Sequence, residues 1–187
     1  MKPALLVIDV QNEYFTPHGQ WVLPDGEKAL PHIQALLSAA RDAQTPIVHI
    51  THEELDLDSP IFRAGSHAVD MHPAIEVYSG EKLIKKHFPG SFTQTPLEAY
   101  LRQHNVDTVI ISGFMTQMCC DTTTRQADER GLATLFASDA TAARDLTLNG
   151  KTVSHSIIHE TTLAVMTQFA AILTTEEIIK KLKDRIA

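Results

Sequence analysis

Cys119 stands at a change of local structure. An apolar, β-branched run at 106–111 reads as a buried strand, Gly113 breaks it, and a helical pattern opens near Gln117. A cysteine at such a strand-to-helix turn lies among free N–H groups at the positive end of a helix dipole. That setting favours a thiolate and can hold a developing oxyanion. Asp9 closes a second apolar run, Ala4-Leu5-Leu6-Val7-Ile8, and in open α/β sheets ligands bind beyond the carboxyl ends of the strands. Lys86 borders a short strand that enters the loop His87-Phe88-Pro89-Gly90-Ser91-Phe92. A thiol, a carboxylate and an ammonium brought together would supply a nucleophile, a proton acceptor and a cation to hold the anion. Taken singly, each has a plainer account: a packed cysteine, an Asx-type turn or cap at Asp9, a solvated charge at Lys86.

The elements that must position these groups alternate along the chain. Strands are expected at 4–10, 46–51, 82–86, 106–111 and 133–138. Helices are expected at 29–44, from Thr95 to near Asn105 with a capping-box start, at 117–129 and within 151–171, with a short last one capped by Thr174 or Thr175. Residues 11–27 and 52–81 read as long loops. Strand–helix alternation implies an α/β fold, a doubly wound, mostly parallel sheet with helices on both faces. In the Rossmann-like order 3-2-1-4-5-6 the first and fourth strands flank the switch point, so Asp9 and Cys119 would share one crevice. No Gly-x-Gly-x-x-Gly follows the first strand, which leaves a dinucleotide site unsupported.

These segments together resemble the isochorismatase-like cysteine hydrolase family. The resemblance rests on Asp9 followed by Gln11-Asn12, on Lys86 before Ser91-Phe92, and on Gly113, Thr116 and Cys119 as Gly-x-x-Thr-x-x-Cys followed by Thr123 and Ala127. It covers nearly the whole chain, in order and in register. It selects Cys119 over Cys120 and Lys86 over Lys85, and it puts Cys120 at a packing position where the family usually has Val. What it implies is a cysteine amidohydrolase acting on a small amide or ureido C–N bond. Asp9 would be the general base, Lys86 its electrostatic partner, Cys119 the carrier of a thioester, and the backbone N–H groups of Met115 and Cys119 the oxyanion hole. The family commonly has a cis peptide at the equivalent of Phe114–Met115. Members that cleave a vinyl ether lack the cysteine, so Cys119 favours the amidohydrolase branch; a non-catalytic binding protein of the same fold and a redox sensor using adjacent thiols are the other readings. Nicotinamidases of the family bind a metal through Asp-x-His after the second strand. Here Thr51-His52-Glu53-Glu54 occupies that place, with His67 and His72 further on. No metal and no cofactor are expected, and nicotinamide is disfavoured. The resemblance also implies a homo-oligomer, dimer or larger.

Composition agrees. A chain of 187 residues fits one domain, and 43% hydrophobic residues suffice for a core. A net charge of −7, from 16 basic and 23 acidic residues, argues against a nucleic-acid surface. No stretch is apolar enough to span a membrane, no signal-peptide pattern opens the chain, and two adjacent cysteines make no disulfide framework. A cytoplasmic enzyme with a small-molecule substrate is expected. Pocket walls are expected from Phe15, Trp21, Phe88, Phe92 and Met115. His155 and His159, four apart on a helix, read as a satisfied surface or interface pair, because no carboxylate partner is evident nearby in sequence.

Overall fold

Every residue of the first strand, β1 (Pro3–Ile8), is buried. Leu5 and Val7 enter one core, and Ala4, Leu6 and Ile8 enter the other. A strand covered on both faces has no polar side to show, which is why its sequence is a continuous apolar run rather than an alternating one. The structure is a computed structural model that describes residues 1–185. After β1 come α1 (Gly26–Asp42), β2 (Ile47–His52), β3 (Lys82–Lys86), α2 (Leu97–Gln103) and β4 (Thr108–Phe114). Then follow α3 (Asp121–Asp128), β5 (Ala133–Ala142), β6 (Leu146–Leu148), β7 (Lys151–Val153), α4 (His155–Met166), β8 (Ala171–Leu173) and α5 (Thr175–Lys183).

The main sheet runs β3-β2-β1-β4-β5-β8, and every pairing in it is parallel. This is the expected doubly wound order, with β8 as its sixth strand. The core that takes Leu5 and Val7 is closed by Leu30, Ile33 and Leu37 of α1 and by Ile178 and Leu182 of α5. The opposite core holds Leu97 and Leu101 of α2, Ala127 of α3 and Met166 of α4.

Several elements differ from the sequence reading, each for a local reason. β4 does not stop at Gly113 but passes through it to Phe114. Gly113 has φ +106°, and a Cβ there would lie 2.0 Å from the Ile8 carbonyl oxygen. The glycine therefore lets β4 approach β1 rather than ending the strand. β5 extends to Ala142 because its register against β4 shifts between Ile111 and Gly113, an irregularity that leaves no periodic trace. β8 is only three residues long and half-exposed. The hairpin β6–β7 is exposed, yet its turn carries a legible signal: Asn149 and Gly150 have φ of 51° and 74°, the Asn-Gly pair that a tight hairpin turn favours. The capping box expected at Thr95 is absent, since α2 starts from Pro96 with no side-chain cap and the Thr95 hydroxyl donates to the Ser91 carbonyl. Of the two expected caps for the last helix, Thr174 is the one used, in a capping box with Glu177 reaching back to the Thr174 N–H.

Candidate active site

The functional groups converge where β1, β3 and β4 end. Asp9 follows β1 directly, takes φ +51° and is fully buried. Short polar side chains tolerate this left-handed conformation better than most. Its N–H donates to the Ile50 carbonyl at 2.9 Å, which fixes the carboxylate between β2 and β4. Lys86 is the last residue of β3, two strands away from β1. Neighbouring strands are ~4.8 Å apart, so a group from β3 must cross the end of β2 to reach Asp9, and lysine's long stem does so. Strand alternation separates the doublet: Ile84 and Lys86 are buried, while Lys85 faces outward and pairs with Glu53 at 2.7 Å.

The Lys86 ammonium has three N–H donors and three neighbours. Nζ lies 2.7 Å from Asp9 Oδ2, 3.3 Å from Cys119 Sγ and 3.5 Å from His52 Nδ1. Burial alone would lower the lysine's pKa, but the Asp9 carboxylate and Cys119 outweigh it and raise it, so the side chain stays charged. Burial and Lys86 lower the pKa of His52. The neutral ring then accepts from Lys86 at Nδ1 and donates from Nε2 to Glu54, 3.1 Å away.

Cys119 lies on one turn of π-helix, Thr116–Cys120, that joins β4 to α3. The expectation from the turn was a favoured thiolate. In the folded protein burial pushes the thiol pKa well up, the Asp9 carboxylate pushes the same way by charge and by hydrogen bonding, and Lys86 pulls against both. Cys119 is therefore held as a thiol beside a charged Lys86. Cys120 is fully buried in the core beside Phe136 and Met166, and burial raises its pKa also.

Loop contacts set Lys86 relative to Cys119. Downstream of β3, the Ser91 N–H donates to Thr123 Oγ1 at 3.1 Å, and Thr123 donates back to Ser91 Oγ at 2.8 Å. Phe92 N–H donates to Gln126 Oε1 at 3.2 Å. The segment after the lysine is thus fastened to the helix after the cysteine. Gln11 does the same for the long loops: its amide donates to the carbonyls of His52 and Val69 at 2.8 and 2.7 Å and accepts from the His52 N–H at 2.8 Å.

A cavity of about 100 Å³ reaches Cys119, walled by Tyr14, Trp21, His52, Phe62 and Met118. Trp21 was anticipated. Tyr14 and Phe62 were not, since they sit in irregular loops whose packing leaves no period in sequence. Tyr14 packs edge-on against Phe62 and Phe114, with centroids 5.3 and 5.6 Å apart. Phe15 is buried behind them against His72 and Phe114, Phe92 is buried under the Arg130 guanidinium, and Phe88 points outward. None of these three lines the cavity. Met115 is buried at the start of the turn, and the Phe114–Met115 peptide is cis. The Met115 carbonyl accepts from the N–H groups of Met118 and Cys120, both at 3.2 Å.

The histidines of the 52–81 segment are engaged locally. His67 contacts Asp70 at 2.9 Å, and His72 accepts from the Ala74 N–H. Among the described residues no group of three or more His, Cys, Asp or Glu is arranged to hold a metal.

The Isochorismatase domain model matches residues 3–177. The chain belongs to the isochorismatase family. It is 34% identical to the isochorismatase family protein YddQ of Bacillus subtilis, over 96% of this chain and 100% of that one. It is 26% identical to maleamate amidohydrolase of Pseudomonas putida, over 97% of this chain and 87% of the relative. The crystal structure of a cysteine hydrolase from Pseudomonas syringae pv. phaseolicola superposes with a TM-score of 0.92 at 27% identity, covering 98% of this chain and 93% of that one. The fold is the family's, and the protein is an isochorismatase-family hydrolase. Among the described residues no helix is long and apolar enough to cross a membrane.

Replacing Lys86 by Met keeps most of the stem and removes the charge. The hydrolytic rate should fall by at least ~10²-fold, the scale of a lost electrostatic group. Lys85→Met breaks only the surface contact to Glu53 and should leave the rate nearly unchanged. Steady-state rates of both variants check this, and equal losses would contradict the assignment of Lys86.

Proposed function

We propose that this protein is an amidohydrolase that cleaves a small amide or ureido C–N bond through a thioester on Cys119. The observation that carries the proposal is the Lys86 ammonium placed between Asp9 Oδ2 and Cys119 Sγ in a fully buried cluster. The thiol proton passes to Asp9 as Sγ attacks the substrate carbonyl. Lys86, first paired with the carboxylate, is then paired with the sulfur. The transfer leaves the net charge of the cluster unchanged, which matters because an uncompensated charge in such a site costs several kcal/mol. The tetrahedral oxyanion is assigned to the N–H groups of Met115 and Cys119. Collapse breaks the C–N bond, and Asp9 returns its proton to the departing nitrogen, giving ammonia or an amine. Water, deprotonated by Asp9, then hydrolyses the thioester and regenerates the thiol.

A relative of similar length is a maleamate amidohydrolase, which supports the amide class. The retained cysteine in contact with Lys86 speaks against vinyl-ether cleavage and against a binding-only role. The lining of the cavity narrows the substrate: it includes Glu54 and no Lys or Arg among the described residues, which suits an uncharged or cationic amide better than a carboxylate-bearing one. In a reducing cytoplasm both cysteines stay thiols; they are free in the structure.

Ammonia release over a panel of neutral primary amides, ureido acids and nicotinamide tests the proposal. Turnover of a small neutral amide is expected, abolished by Cys119→Ala and mostly retained by Cys120→Ala. A fully active Cys119→Ala enzyme would end it.

A homo-oligomer is part of the same proposal. Leu146, Leu148 and Val153 of the hairpin and Ile157 and Val165 of α4 are exposed apolar side chains on successive elements, and a second copy of the chain would cover them. Size exclusion with light scattering should give a dimer or larger. A species near 20.7 kDa, fully active at nanomolar concentration, would rule it out.

A further inference from the structure

His159 is a half-buried imidazole that the triad does not use. It lies on α4, one helical turn after His155, but the two rings face different partners. His155 sits between Asp25 and Asp145, at 3.3 and 2.8 Å. Asp25 comes from a distant segment, and Asp145 reaches the histidine from ten residues upstream, across the β6–β7 hairpin. His159 has its Nδ1 2.9 Å from Thr116 Oγ1. Thr116 is fully buried and opens the π-helical turn that carries Cys119.

We propose that His159 is a positioning residue that holds the Cys119 turn through the Thr116 hydroxyl; the proposal rests on the amidohydrolase reading above and adds a member to its machinery. Burial lowers the pKa of the ring, and a neutral imidazole can share one hydrogen bond with the Thr116 hydroxyl in either direction. His159 therefore ties α4 to the turn that bears the nucleophile.

The physical need for such a tie is local. A single π turn lacks the regular ladder of an α-helix, and such turns occur mostly at functional sites. Its internal bonds to the Met115 carbonyl are long, at 3.2 Å. Without His159 the buried Thr116 hydroxyl loses its partner, and an orphaned buried polar group drives local rearrangement. The turn has little freedom to absorb this without moving Sγ off Lys86 Nζ, 3.3 Å away. A cavity of about 330 Å³ lined by His159 together with His32, Asp139 and His155 gives the ring room to swing when its contact to Thr116 is lost.

The test reads Cys119 directly and needs no substrate. Iodoacetamide labelling at neutral pH, with the site located by peptide mass, is compared across variants. His159→Ala should slow labelling of Cys119 about 10-fold, within the ~10²-fold that a misplacement of about 1 Å can cost, because Sγ no longer has Lys86 beside it as its proton passes to Asp9. His159→Asn keeps an acceptor near the Nδ1 position and should restore most of the rate. Thr116→Val should match His159→Ala, and the double variant should be no slower than either, as expected for two residues acting through one contact. His155→Ala should label like wild type. On any amide that is turned over, His159→Ala should lower kcat with little change in KM.

A merely structural role predicts the opposite sign: a loosened helix exposes the thiol, and labelling speeds up while the melting temperature falls. Unchanged or faster labelling in His159→Ala, or additive losses in the double variant, overturns the proposal and leaves the triad untouched. Unchanged labelling in Asp9→Asn would instead sink the triad reading on which it rests.

Discussion

One buried ammonium constrains the rest of the site. Lys86 has been carried out of water at the end of β3, and it needs one anion beside it at all times, since a lone buried charge costs several kcal/mol. Two candidates lie in reach, the Asp9 carboxylate at 2.7 Å and the Cys119 sulfur at 3.3 Å. The carboxylate is the nearer partner, and burial together with that carboxylate holds the thiol in its protonated form. In the proposed reaction a nucleophile appears only when the proton crosses to Asp9, which would keep the sulfur quiet in the free protein and release it to a carbonyl held against it.

The sheet makes this arrangement possible. Parallel strands end on the same side, so β1, β3 and β4 deliver their terminal residues to one edge. β2 separates Lys86 from Asp9, and its last residue, His52, becomes the third neighbour of the ammonium. Gly113 lets β4 close against β1. The Ser91–Thr123 and Phe92–Gln126 contacts fasten the segment after Lys86 to the helix after Cys119. Local packing of the loops, with Gln11 and the Tyr14–Phe62 pair at its centre, then shapes the cavity.

The strands that carry Asp9 and Cys119 were legible because burial on both faces writes itself as continuous apolar runs, whereas β3, an edge strand with alternating burial, was legible because the three motifs keep their spacing in a single chain. The side of the sheet on which Lys86 lies, against Lys85, was legible through the family's spacing and is explained by strand alternation. The cavity was not. Phe15 and Phe92 lie near Asp9 and Lys86 in sequence, yet both turn into the core, whereas Phe62 arrives from an irregular segment through contacts such as the donation from its N–H to Glu13. Loop side chains are placed by such long-range hydrogen bonds, which have no period to read. His159 was visible as half of a helical pair, but its partner, Thr116, is far away in sequence and meets it only in the fold.

In the proposed chemistry Lys86 is paired with one anion, and Asp9 decides which. Ultraviolet thiolate absorbance at neutral pH, compared between wild type, Asp9→Asn and Asp9→Asn with Cys119→Ala, tests it most directly. Wild type should show no thiolate. Asp9→Asn removes the competing anion and should show one, formed against Lys86 and lost again when Cys119 is replaced. A thiolate in the wild-type protein at neutral pH, or none in Asp9→Asn, would contradict the account.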